Sequence, residues 1–147
     1  METLFDTTTK DTIQNRLANL HSGSQAKWGK MSVGQMLFHC QLPLEIATSD
    51  KHSKLKPNFI ARLLFKKSLY NDRLWPKNLP TAPSLKVTSE KDFKTESTKL
   101  AEKIADFYSM KDQDSFKPHP VFGKFTPEQW GKMQYKHLDH HFRQFGV

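Results

Sequence analysis

The sequence has few of the features that mark secreted, membrane-spanning or β-rich proteins. Its single cysteine, Cys40, excludes an internal disulfide and agrees with a reducing compartment. No uninterrupted apolar run approaches the roughly 20 residues of a bilayer-spanning helix, and the first residues lack the basic and apolar regions of a signal peptide. The 147 residues suit one compact domain, residues 1–147. We therefore expect a single-domain cytoplasmic protein with no membrane span.

Strand signals are equally scarce. Only Leu85-Lys86-Val87 alternates between apolar and polar side chains, and this run is too short to found a sheet. Apolar residues instead recur at helical spacing. The helices predicted in this way cover residues 8–20, a segment that begins at 33 and contains Pro43 if it continues that far, a short piece opening at 57–58, residues 90–110 and residues 126–145. The sequence therefore predicts an all-α fold.

Two of these helices carry explicit start signals. Ser32 followed by Gln35, and Thr126 followed by Gln129, each match a capping box, in which the hydroxyl and the glutamine side chain satisfy free backbone amides. Gly146 supplies a stop for the last helix. Pro43 removes one backbone hydrogen bond, so a kink near it is expected in the second helix.

The excess positive charge is concentrated in one stretch. Of the formal net charge of +8, residues 51–77 contribute eight basic residues and one acid, a net +7. We refer to residues 51–77 as the basic segment. A solvated face is the favoured interpretation, because such charge runs are common on surfaces. Nucleic-acid binding ranks last, since no recognised nucleic-acid module accompanies the cluster.

Histidines on two predicted helices suggest a metal site. His137 and His141 are four residues apart, so their imidazoles lie on one face of the last helix and suit a shared ion. His140 competes with His141 for the same role. His39, on the second helix, is the proposed third ligand. Three neutral imidazoles buried without partners would each cost roughly 1–3 kcal/mol, a cost that a divalent ion would remove.

Three histidines leave a coordination position open for water or substrate, which is typical of catalytic and not structural metal sites. A ligating histidine usually donates its second nitrogen to a carboxylate or carbonyl. Asp139 and Glu45 are the helix carboxylates nearest in sequence, but neither placement follows from spacing alone. Cys40 is interpreted as a packed core thiol. Trp28 and Trp75 are interpreted as core or pocket walls.

The closing segment, residues 137–144, reads His-Leu-Asp-His-His-Phe-Arg-Gln and resembles the His-x-x-His-His-x-x-Gln signature of the DinB/YfiT-like superfamily. Residues 31–40 resemble the early helix of that superfamily, which contributes one histidine. The segment from His119 to Trp130 resembles an uncharacterised branch. The likeness extends over essentially the whole chain.

The resemblance implies an up-down-down-up four-helix bundle with long loops and a short extra helix, often a homodimer. It implies a divalent metal, zinc or nickel, on His39, His137 and His141. Members include thiol S-transferases and putative metal-dependent hydrolases, so a low-molecular-weight thiol or another small molecule is the expected substrate. A non-catalytic metal-containing binding or stress-response module is the alternative.

Overall fold

The computed structural model describes residues 2–50, 52 and 55–147, and the regular structure of these residues is helical. Their only β-type pairing is an isolated bridge between His119 and Gly123. The all-α expectation is confirmed. Within the described ranges, the α-helices are α1 (Thr7–Ala18), α2 (Val33–Thr48), α3 (Phe59–Phe65), α4 (Phe93–Ser109) and α5 (Pro127–Phe145), with short 3-10 helices at Lys66–Leu69 and Pro83–Leu85.

Side-chain caps fix where the two histidine-bearing helices begin. Ser32 accepts from the amide of Gln35 while the Gln35 side chain accepts from the Ser32 amide, and Thr126 and Gln129 repeat the arrangement on α5. Both predicted capping boxes are confirmed. Gly146 ends α5 with φ 85°, a left-handed conformation that glycine adopts without a Cβ clash. Each of these two helices therefore begins at a fixed residue.

Pro43 does not end α2, which continues to Thr48. The Pro43 carbonyl accepts from the side-chain amide of Gln134 at 2.8 Å, which ties α2 to α5. The helix α4 begins at Phe93, three residues later than predicted, because the Asp92 carboxylate accepts from the Thr95 amide and serves as its N-cap. Aspartate competes well with the preceding serine for this role.

The apolar core lies where the longer helices meet. Both α1 and α2 pack against α4 and α5. Fully buried side chains come from all four of these helices, including Ile13, Met36, Ile104 and Trp130. Burial of such side chains contributes roughly 1.5–3 kcal/mol each. This packing places the middle of α2 against the C-terminal half of α5, where the histidines lie.

The short helix α3 differs from the others because none of its residues is buried. It is joined to the 3-10 helix at Lys66–Leu69, which contacts α5. Within the described residues, no helix is both long enough and apolar enough to cross a membrane.

Candidate metal centre

Three histidines from two helices converge between α2 and α5. The Nε2 atoms of His39 and His137 lie 3.1 Å apart, and each of His39, His137 and His141 has a ring nitrogen within 4.8 Å of those of the other two. All three side chains are buried. Two nitrogens bound to one tetrahedral zinc ion at 2.0–2.1 Å would stand about 3.3 Å apart. The predicted trio therefore meets, at a spacing close enough to hold a metal ion.

The orientation of the His39 ring is set by the backbone before α4. Its Nδ1 lies 3.0 Å from the carbonyl oxygen of Leu85. A carbonyl can only accept, so Nδ1 carries the proton and donates. The lone pair of neutral His39 is then on Nε2, the atom that faces His137. This is the arrangement in which a metal-binding histidine donates its second nitrogen to a carbonyl.

Two successive hydrogen bonds likewise determine which nitrogen of His141 carries the proton. The Trp28 carbonyl accepts from the Gln144 Nε2 at 2.7 Å, which fixes the orientation of the amide group. The Gln144 Oε1 then lies 2.8 Å from His141 Nδ1 and must accept from it. The lone pair of His141 is consequently on Nε2, directed away from Gln144. A backbone carbonyl more than 100 residues away thereby determines the tautomer of His141.

His137 completes the set but lacks a similar support. Its Nδ1 is buried and has no hydrogen-bond partner among the described residues. Because His39 Nε2 holds a lone pair, the 3.1 Å contact requires His137 Nε2 to donate in the metal-free protein. A cation between the rings would replace this single hydrogen bond with coordination by three nitrogens. The donor set therefore fits a divalent ion that accepts imidazole ligands, such as zinc or nickel.

Burial keeps the three imidazoles neutral. It lowers the pKa of His39, a shift partly opposed by the bond to the Leu85 carbonyl. Burial, followed by the neighbouring imidazoles, holds the pKa of His137 well below its usual value. Burial and then His39 lower the pKa of His141 to about 3. Neutral imidazole is the form that binds metals, so protons do not compete with a metal ion near pH 7.

His140, the competing ligand, lies beside the cluster and not in it. Its ring contacts those of His141, Trp28 and Trp75, with centroid separations of 5.1, 6.0 and 5.6 Å. Its Nδ1 is buried and has no partner in the described part of the chain. The set of residues with converging ligand atoms contains His141 and not His140. His140 and the two tryptophans instead form an aromatic wall on one side of the site.

The two helix carboxylates nearest to the histidines in sequence, Asp139 and Glu45, pair with basic side chains. Asp139 pairs with Arg16 and Arg143, each at 2.9 Å. Glu45 pairs with His52 and Lys103, each at 3.0 Å. The supporting groups are the Leu85 carbonyl and the Gln144 amide. Sequence reasoning missed the first because a backbone group leaves no residue signal, whereas Gln144 closes the signature segment, residues 137–144.

Two further residues complete the surroundings. Cys40 is buried as expected, and burial strongly raises the pKa of its thiol, so it stays protonated. Lys136 is also buried, which the sequence did not suggest. Its ammonium donates to the carbonyls of Ser68 and Asn71, at 2.6 and 2.9 Å, and to the Asn71 side chain at 2.7 Å. Trp75 donates to the same Ser68 carbonyl at 2.8 Å, so this turn is held over α5.

Comparison with known proteins gives a family but no activity. No curated protein matches the chain. No solved structure matches it either. The family described as "Protein of unknown function (DUF1569)" matches residues 2–146, which include all three histidines and both of their supporting groups. The chain belongs to this family.

Proposed function

We propose that the protein is a metal-dependent enzyme in which His39, His137 and His141 hold one divalent ion, zinc or nickel. The observation that carries the proposal is the convergence of three buried imidazoles. On two of them, His39 and His141, a fixed Nδ1 donor leaves the lone pair on Nε2, and the Nε2 of His39 faces His137. Without a cation, the described residues link these rings by one hydrogen bond, from His137 Nε2 to His39 Nε2, whereas a divalent ion would be coordinated by all three imidazoles.

We further propose that the fold is a DinB-like four-helix bundle. The four long helices α1, α2, α4 and α5 would form the bundle, with α3 as the short extra helix. The packing of α1 and α2 against α4 and α5 supports this proposal. The resemblance of residues 137–144 to the superfamily signature supports it independently. A homodimer and a cytoplasmic location remain predictions.

The site has the parts expected for activating a small nucleophile. A divalent ion held by three histidines would have a free position at which a thiol or water becomes more acidic near neutral pH. Trp28, Trp75 and His140 restrict water beside that position. The Lys77 ammonium lies 4.9 Å from the centre of the Trp28 ring. A cation there favours an acidic thiol as cosubstrate. Attack of the thiol on an electrophile would be an S-transfer. Attack of water in its place would be a hydrolysis.

The test is a reaction screen on untagged protein loaded with zinc or nickel. Low-molecular-weight thiols are mixed with an electrophile such as a haloarene, and loss of free thiol is followed; ester hydrolysis is followed in parallel. We expect turnover that is abolished by His137→Ala and retained by His21→Ala, which changes an exposed histidine. Equal rates in the wild type and His137→Ala would contradict a metal-dependent reaction.

A non-catalytic metal-containing module is the second candidate, and the enclosure of the site favours it. All three ligand side chains are at most 8% exposed, and Trp75 packs edge-on against His137. A loaded protein that binds its ion tightly but consumes no thiol or ester in the screen would support this candidate over the enzyme.

A further inference from the structure

The exposed large apolar side chains of the described residues are concentrated in one part of the chain. All of them lie between residues 59 and 79, and the most exposed are Phe59 (76%) and Leu63 (72%). The full set is Phe59, Ile60, Leu63, Leu64, Phe65, Leu74 and Leu79. Five of these seven side chains lie on α3 itself, and exposed apolar surface concentrated in this way marks interaction sites.

The helix α3 presents this patch as an ordered face. At 100° per residue, Phe59, Leu63, Ile60 and Leu64 fall within an arc of about 140°, and all four are exposed. The half-buried Ala61 lies outside that arc. The start of α3 is anchored to the rest of the protein, because the Asn58 amide donates to the Val121 carbonyl at 3.3 Å. The apolar side chains are therefore held outward on a fixed helix.

Exposed basic side chains alternate with these apolar residues along the chain. Lys56, Arg62, Lys67, Arg73 and Lys77 are all exposed. The basic segment as a whole has a net charge of +7 and overlaps the apolar patch along the chain. Two copies meeting through this face would bring two such charges together, which opposes self-association. A negatively charged partner with an apolar interior has the complementary properties.

We propose that α3 and residues 66–79, together called the docking surface, bind the surface of an anionic lipid bilayer. The apolar face of α3 would enter the boundary between headgroups and acyl chains, and the surrounding lysines and arginines would contact anionic headgroups. Basic helices with Phe and Leu on one face bind bilayers in this way. Each basic residue near such a membrane adds to the affinity. The contact is peripheral and requires no spanning helix.

The first test is flotation of the full-length protein with vesicles. One set contains phosphatidylcholine with 30% phosphatidylglycerol, and the other contains phosphatidylcholine alone. We expect the protein to float with the anionic vesicles and not with the neutral ones, and to be partly released by 0.5 M salt. Absence from the anionic vesicles, or equal binding to both sets, would overturn the proposal.

Paired variants then test which residues bind. Lys67→Gln combined with Arg73→Gln should weaken binding to anionic vesicles by about tenfold or more. Lys94→Gln combined with Lys99→Gln removes the same charge from exposed positions on α4 and should change the affinity much less. Equal effects of the two pairs would mean that net charge alone drives binding and would overturn the proposal.

The apolar contribution is tested by Leu63→Ser combined with Leu64→Ser. Both side chains are largely exposed, so the thermal unfolding midpoint should change little while vesicle binding falls by about tenfold or more. Sedimentation of the wild type without lipid tests the alternative that a second copy of the chain binds the docking surface. A dimer that this double variant dissociates, with no vesicle binding, would assign the face to a second copy and refute the lipid proposal.

Discussion

The side-chain oxygen of Gln144 accepts a hydrogen bond from His141 Nδ1 at 2.8 Å, while the Gln144 amide nitrogen donates to the Trp28 carbonyl at 2.7 Å. This contact makes Gln144 a positioning residue for the proposed metal ligand. Replacing Gln144 by methionine keeps its size and removes the acceptor. We expect zinc affinity, measured by competition with a chelator, to fall by about 10–100-fold.

Two matched variants separate this effect from a general loss of packing. Gln144→Glu keeps an oxygen acceptor for His141 Nδ1 and should retain more affinity than Gln144→Met. Gln113→Ala changes an exposed glutamine and should leave the affinity unchanged. If Gln144→Met binds zinc as tightly as the wild type, Gln144 does not position His141.

Gly34 allows the start of α2 to approach the backbone that precedes α4. A Cβ at Gly34 would lie 2.1 Å from the carbonyl oxygen of Lys91, which is backbone and cannot rotate away. Alanine usually stabilises a helix by about 1 kcal/mol relative to glycine. Here we expect the clash to dominate, and Gly34→Ala to lower the free energy of unfolding by about 1–3 kcal/mol.

Urea unfolding measures this change, and Gly23→Ala is the control. A Cβ at Gly23 meets only the His21 ring, at 3.3 Å or more, so its effect should be small. An unchanged or higher free energy of unfolding for Gly34→Ala would show that the Lys91 carbonyl does not clash with a Cβ at residue 34.

His119 gives the folded protein a specific dependence on pH. Its Nδ1 accepts from the amides of Val121 and Phe122, at 3.1 and 3.2 Å. Burial, followed by the charge of Lys66, lowers its pKa to about 4. The unfolded chain, with a pKa near 6.5, takes up the proton first as the pH falls. The contribution of His119 to stability is therefore complete above about pH 6.5 and is lost between about pH 6.5 and 4.

The variant His119→Asn isolates this contribution. Asparagine offers an oxygen that accepts from the same two amides but does not titrate. Between pH 7.5 and pH 5.0 we expect the wild type to lose about 2 kcal/mol more unfolding free energy than the variant. Other buried histidines and the carboxylates titrate in both proteins, so the difference belongs to residue 119. Parallel pH profiles would refute the assigned pKa.

Local sequence signals predicted the helical frame well. The capping boxes at Ser32 and Thr126 depend on contacts three residues apart, and the left-handed stop at Gly146 depends on its missing Cβ. The shared face of His137 and His141 follows from helix geometry alone. These features were predictable because each depends on neighbours within about one helical turn.

The features that the sequence did not predict depend on contacts between distant segments. The placement of Asp139 did not follow from spacing, and its carboxylate binds Arg16 on α1, 123 residues earlier. The sequence did not predict that Lys136 would be buried. Burial is possible because its ammonium donates to three oxygens of residues 68 and 71. The support of His39 comes from the Leu85 carbonyl, a backbone group that every residue possesses. Sequence spacing contains no information about such partners.

The most direct test of the metal centre is a zinc titration of chelator-stripped protein by calorimetry. We expect one zinc ion per chain in the wild type and in His140→Ala, because His140 lies outside the ligand set. Specific binding should be lost in His39→Ala, in His137→Ala and in His141→Ala. A wild-type protein that binds no zinc or nickel, or a loss of binding in His140→Ala with retention in His141→Ala, would contradict the account.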